Sequence, residues 1–181
     1  MRGSKCFLTL IVFLVSVKAA FPLQKGIKTG IYSGLPIPRY VSLKSEKVKL
    51  RVGPGKKYRT KYMYVVKNYP VKIIAEFDNW RKIQDIDSSE GWIHTSMLSG
   101  QRYVLLDRNK IFQRKELSKH IAKSQGLLFS SDSEKSVPVA KIEIGAVLRL
   151  KKCKENWCKI EVKGISGWVH KENLFGVNLD G

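Results

Sequence analysis

The sequence predicts an all-β protein made of two tandem small β-barrels behind a cleaved signal peptide. Three observations predict it. From Val48 to His94 the apolar residues recur with period two and turn residues break the pattern every few positions. A blurred copy of the latter half follows about 76 residues later, with Asn-Trp and Gly-Trp-aliphatic-His in both copies. All four tryptophans, Trp80, Trp92, Trp157 and Trp168, occupy the matched positions.

The N-terminus reads as a secretory signal over residues 1–19. Arg2 and Lys5 are basic, Phe7 to Val17 is apolar apart from Thr9 and Ser16, and Val17-Lys18-Ala19 suits a signal peptidase. Cleavage is expected after Ala19 or Ala20. The run is too short for a comfortable span, so a retained anchor is the weaker alternative. Cys6 lies too early to be a lipoprotein cysteine. The chain has 34 basic and 15 acidic residues and a formal net charge of +19. Cleavage removes Arg2, Lys5 and Lys18 and no acid. Behind a signal peptide such charge points to anionic envelope material and not to nucleic acid: phospholipid headgroups, lipopolysaccharide phosphates or peptidoglycan carboxylates. Peripheral contact with a membrane surface is a further option. The lysines are scattered along every strand and turn, which argues against one designed patch.

Residues 20–40 form an extended arm, either linker or edge cover, because Pro36-Ile37-Pro38 excludes a helix. Residues 41–101 form the first barrel. Val48, Leu50 and Val52 face one way, Lys49 and Arg51 the other. Gly53-Pro54-Gly55 ends that strand, its glycines permitting left-handed geometry. A basic loop carries Tyr58. Tyr62, Tyr64 and Val66 share the next strand's face. Asn68-Tyr69-Pro70 turns the chain, and Val71, Ile73, Ala75 and Phe77 share a face. Asp78-Asn79 fits a two-residue hairpin turn, with asparagine tolerating positive φ. Phe77 then opposes Trp80, and Glu76 opposes Arg81. Asp85 to Glu90 turns, Gly91 to His94 is a strand, and Met97 to Gly100 closes the unit.

Residues 102–125 read as a connection. Tyr103 to Leu106 is strand-like, and Arg108 to Lys123 is basic with Glu116 its only acid. Residues 126–177 form a degenerate second barrel. It lacks the Gly-Pro-Gly loop, Gly145 replaces the Asn68 turn, and Leu148 and Leu150 match Val71 and Ile73. Glu155-Asn156 makes the hairpin turn, and Lys163-Gly164 turns again.

The mature cysteines are Cys153 and Cys158, at the positions of Glu76 and Arg81. Non-hydrogen-bonded partners lie about 4.5 Å apart at Cα, within disulfide range, and the compartment is oxidising. A structural disulfide is expected, worth about 2 kcal/mol for so short a loop. The Glu76–Arg81 pair is expected to be exposed and worth about 1 kcal/mol or less. Redox or zinc chemistry fits poorly, since the spacing is not Cys-x-x-Cys and no second pair completes four ligands.

Catalytic patterns are not found. His94 and His170 match by duplication, and His120 sits in the basic connection. No Gly-x-Ser-x-Gly elbow frames a serine, Gly53-Pro54-Gly55 is not a phosphate loop, and no carboxylates pair by spacing. A non-enzyme is expected, with no metal and no cofactor. The aromatics Tyr58, Tyr62, Tyr64 and Trp80 are the candidate ligand-binding residues, with Trp92 considered beside them. Trp92 and Trp168, each after a glycine on a strand, are expected in the core. Tyr58 and Trp80, next to turns, are expected at the surface.

Leu50-Arg-Val-Gly-Pro-Gly55, then Asn79-Trp80, then Gly91-Trp-Ile-His94 resembles the bacterial SH3-like (SH3b) domain. Gly34-Leu-Pro-Ile-Pro-Arg-Tyr-Val-Ser-Leu-Lys44 with the second unit's Cys-x-x-x-x-Cys resembles a secreted tandem version of alphaproteobacterial type. The match covers roughly residues 34–176 and is strong in the first unit only. The resemblance implies strongly bent small barrels acting as envelope-associated binding modules, with cell-wall peptide or glycan as the ligand. The acidic and aromatic signature used for proline-rich peptides is not evident. The expectation is a non-catalytic protein of a Gram-negative periplasm that binds peptidoglycan or another anionic component. The alternative is an envelope protein–protein scaffold with a groove between the barrels. A cell-wall hydrolase would need catalytic groups that the sequence does not display.

Overall fold

The computed structural model describes residues 28–107, 125–133 and 135–178. Residues 1–19, expected to be a signal peptide, with Cys6 among them, and the basic stretch 108–123, with His120, lie outside the described residues. The first unit has strands β1 (Arg39–Leu43), β2 (Val48–Arg51), β3 (Thr60–Tyr64), β4 (Pro70–Phe77), β5 (Trp80–Gln84), β6 (Glu90–His94) and β7 (Leu98–Ser99). The second has β8 (Tyr103–Leu106), β9 (Gln125–Phe129), β10 (Pro138–Glu143), β11 (Val147–Lys154), β12 (Trp157–Val162), β13 (Ile165–His170) and β14 (Leu174–Phe175). The sheets run β3-β2-β6-β5-β4-β1-β7 and β10-β9-β13-β12-β11-β8-β14, the same order twice. The expected all-β pair of tandem barrels is therefore what the chain forms.

Two expected boundaries shift. Arg39 and Tyr40, placed in the arm, already belong to β1. Tyr103–Leu106, placed in the connection, is the first strand of the second unit and pairs with β11 and β14. Val104 and Leu106 are needed there, because they fill the second core with Leu128, Leu148, Ile160, Val169 and Leu174. The first core holds Leu43, Val48, Leu50, Val71, Ile73, Ile83 and Ile93.

Both long hairpins carry a bulge at equivalent places, between Ile73 and Ala75 and between Leu150 and Lys152. One extra residue reverses which alternate side chains face inward. The expected shared face of Val71, Ile73, Ala75 and Phe77 is corrected accordingly: Phe77 is 51% exposed, whereas the Glu76 side chain is 1% exposed. Val52 and Val66 also leave the core side, because their strands end at Arg51 and Tyr64.

The predicted hairpin register holds, with Phe77↔Trp80 and Glu76↔Arg81 in one unit and Lys154↔Trp157 and Cys153↔Cys158 in the other. Positive φ falls on Asp78 (48°) and Glu155 (50°), one residue before the asparagines expected to carry it. Asn68 (63°) and Gly145 (82°) share left-handed geometry at matched turns. Gly53 and Gly55 are not among the positive-φ residues. Gly53 is small because the Tyr58 ring lies where a Cβ would be, 2.5 Å away. The Cys153–Cys158 disulfide is formed, with Cα atoms 4.0 Å apart.

Gly91 and Gly167 show why a glycine precedes the strand tryptophan. A Cβ at Gly91 would sit 2.5 Å from Leu50 Cγ and 2.8 Å from the Arg51 carbonyl. At Gly167 it would meet Leu128 Cγ at 2.5 Å and the Phe129 carbonyl at 2.7 Å. In both barrels the neighbouring strand crosses too closely for any side chain.

The arm folds onto the first hairpin. Thr29 bridges Pro36, Gly34 turns with φ of 67°, and Ile37 is buried. The Glu76 carboxylate anchors it. Oε2 accepts from the Tyr32 and Ser33 amides (3.2 and 3.0 Å). Oε1 accepts from Ser33 Oγ (2.6 Å) and Arg39 Nη2 (2.9 Å), and lies 3.2 Å from Arg81 Nε. The expected exposed ion pair is thus an enclosed node, because the bulge turns Glu76 inward and the arm covers it. The barrels meet where Tyr40 packs edge-on against Phe175 (5.3 Å) and the Tyr103 amide donates to Ser42 Oγ (3.2 Å).

Candidate functional site

On β5 and β6 the inward residues are Arg81, Ile83, Gly91 and Ile93. Their alternates therefore project from the outer face. Register sets Trp80 opposite His94, Lys82 opposite Trp92 and Gln84 opposite Glu90. On the other side of β6, Arg51 of β2 stands opposite Trp92. Trp92 is thus flanked by one cation on each neighbouring strand, with Trp80 at the diagonal position.

Contacts order this face. Trp80 and His94 meet edge to face at 5.3 Å. His94 Nδ1 accepts from the Ser96 amide (3.2 Å) and lies 2.8 Å from Ser96 Oγ, fixing the ring at the start of the 3₁₀ turn Thr95–Met97. Arg51 Nη1 donates to the Tyr58 carbonyl (2.7 Å), tying the Gly-Pro-Gly loop to the face. Lys82 Nζ is 2.5 Å from Glu90 Oε2. Arg51 retains further guanidinium donors, which suit a planar carboxylate.

The four aromatic candidates do not gather at one site. Tyr62 and Tyr64 share the inward side of β3, opposite Leu50 and Val48. Their hydroxyls donate to Asp85 Oδ2 (2.7 and 3.0 Å). Asp85 Oδ1 accepts from the Asp87 and Ser89 amides (3.1 and 2.8 Å), so this buried carboxylate organises the turn before β6. Burial pushes the Tyr64 phenol well above the ordinary tyrosine range, reinforced by the Tyr62 hydrogen bond and the Asp85 charge. Tyr64 is a core residue with a structural hydrogen bond. Trp80 stands on the outer face, and Tyr58, 37% exposed, caps its loop.

Trp92 and Trp168 were expected in the core and are half-buried on the outer face. The inward places belong to Ile93 and Val169. The signal was present in the alternation of Gly91-Trp92-Ile93-His94, since a glycine and an isoleucine two apart cannot share the core side with the tryptophan between them. Arg51 and Lys82 share that outer face, as does His94, which the sequence pattern offers only as a match by duplication.

The second barrel has a related face with a different surface. Trp168 stands opposite Lys159 and Phe129, and Lys152 Nζ lies 5.6 Å from its ring centroid. Phe129 takes the place of Arg51. It packs edge-on against Trp157 at 5.6 Å, and His170 covers Trp157 at 4.0 Å. Trp157 is buried.

A family model described as bacterial SH3 domain matches residues 44–100 and 123–176. No curated protein matches the chain. Two solved structures are similar, titled as those of NlpC1 and NlpC2 from Trichomonas vaginalis. The NlpC1 comparison gives 13% identity, a TM-score of 0.33, and coverage of 81% of this chain and 48% of that one. The NlpC2 comparison gives 13% identity, a TM-score of 0.32, and coverage of 76% and 48%. The chain spans about half the length of each.

Proposed function

Because the chain belongs to the bacterial SH3 domain family, we propose that it is a non-catalytic binding module of the cell envelope. It acts in the periplasm and takes peptidoglycan or another anionic envelope component. The observation that supports this reading is the outer face of the first barrel, where Trp92 lies between Arg51 and Lys82 with Trp80 beside it. Aromatic surface and adjacent cations suit a ligand that is ring-bearing and anionic. The mature chain, with 34 − 3 = 31 basic against 15 acidic residues and so a net charge of +16, adds long-range attraction to such a polymer. Trp80, on the outer face, and Tyr58, 37% exposed in its loop, are proposed to touch the ligand as well.

Co-sedimentation of the mature protein with purified sacculi, at low and high salt, tests the reading. Pelleting that falls when Trp92 or Trp80 is changed to Ala is expected, with partial loss in salt as surface charges are screened. Protein that stays in the supernatant at low salt would sink the wall-binding function and leave the envelope scaffold. Release of soluble muropeptides during the incubation would overturn the non-catalytic reading.

A further inference from the structure

The duplication supplies an internal comparison. Register aligns β2 with β9, β5 with β12 and β6 with β13, so Arg51 and Phe129 occupy one position, each opposite the tryptophan of the Gly-Trp pair. Their consequences differ. In the first barrel this place holds a guanidinium, and Trp80 meets His94 in a T-shaped pair at 5.3 Å. In the second it holds a phenyl ring, which with His170 shuts Trp157 in.

We infer that the two barrels have divided their work. The first barrel holds the ligand site, in which Arg51, and Lys82 alongside its own partner Glu90, meet a free carboxylate of the wall polymer while Trp92 and Trp80 stack on a sugar beside it. The second barrel's outer face is closed by Phe129 over Trp157 and serves packing. This deepens, and rests on, the wall-binding reading, naming the ligand as a wall sugar with a free carboxylate beside it. Arg51 is the residue that decides between the two states. A planar guanidinium matches a carboxylate bidentately, and a phenyl ring offers neither charge nor donor. The loop difference agrees, since the Tyr58 carbonyl that holds Arg51 lies in the loop just after Gly53-Pro54-Gly55, a motif the second barrel lacks.

The test is sacculus co-sedimentation of the mature full chain, read as apparent affinity. Arg51→Phe copies the second barrel's own residue, and Lys82→Gln removes the charge while keeping a polar, somewhat shorter side chain. Each is expected to weaken binding about tenfold, the loss of one charge-assisted contact. Trp168→Ala is expected to stay within about twofold of the parent protein, as a change away from the site should. Sacculi with their carboxyl groups chemically amidated are expected to bind the parent protein as poorly as native sacculi bind Arg51→Phe. Parent-level binding by both Arg51→Phe and Lys82→Gln would overturn the inference while leaving wall binding intact. So would a Trp168→Ala loss equal to that of Arg51→Phe, or full binding to amidated sacculi. A parent protein that fails to sediment at all would overturn the inference together with the reading beneath it.

Discussion

Glu76 and Arg81 face each other at the cross-strand pair that Cys153 and Cys158 occupy in the second barrel. One fold position is thus held by an enclosed ion pair in one copy and by a covalent bond in the other. The ion pair does more than close its hairpin, since the same carboxylate receives Tyr32, Ser33 and Arg39 and so fastens the arm.

Glu76→Gln should lower stability by about 2 kcal/mol, below the range for a fully enclosed pair because Arg39 still reaches water. Denaturant unfolding checks this. Burial pushes the Glu76 carboxyl up, but hydrogen bonds from Ser33 and Arg39 and the charge of Arg81 outweigh it and hold the group below its usual range. The folded pKa is thus lower than the unfolded one. The clamp's contribution is complete well above about pH 4.3, the ordinary glutamate value, and disappears as pH falls through the depressed folded value. Amide-exchange protection at Tyr32 and Ser33 should be steady near neutrality and collapse in acid. Protection persisting under strong acid would show that the arm is held by something else.

Reduction of the disulfide, or replacement of both Cys153 and Cys158 by Ser, should destabilise the second barrel by about 2 kcal/mol from loop closure alone. The first barrel should be unaffected. Thermal melts followed at barrel-specific amides, with and without reductant, separate the two.

Gly91→Ala should cost about 2 kcal/mol or more, because the new methyl meets a backbone carbonyl as well as Leu50. Gly100→Ala has open space around the added carbon and is not at positive φ, so it should be neutral. Equal stability of the two variants would refute the close-approach account of the Gly-Trp pair.

Asp85→Ala removes the acceptor of two phenols and two amides. A loss of about 3 kcal/mol is expected, against about 1 kcal/mol for Tyr64→Phe. A Tyr64→Phe protein that keeps sacculus binding would agree with its place in the core.

Much of the fold was legible because its signals are local. Period-two alternation, the hairpin register and the cysteine pair all follow from neighbours along the chain. The site was less legible because a bulge is invisible in a one-dimensional pattern. Nothing in Val71 to Phe77 marks the extra residue that turns Glu76 inward and Phe77 out. The membership of Tyr103–Leu106 depended on pairing with β11 and β14, a long-range contact. Trp92 was the avoidable error, since the alternation around it already placed it outside.

In the first barrel the opening strand β1 and the closing strand β7 are antiparallel neighbours, joined through Ser42↔Ser99 and Leu43↔Leu98. Ladder hydrogen bonds run perpendicular to antiparallel strands. A mechanical load applied through the two ends of this barrel therefore pulls along those bonds and opens them in succession, as a zipper opens, without shearing them together. The second barrel repeats the arrangement with β8 and β14. Force carried through both ends of such a unit would open its terminal strand pair first, with the covalent Cys153–Cys158 staple lying outside that path.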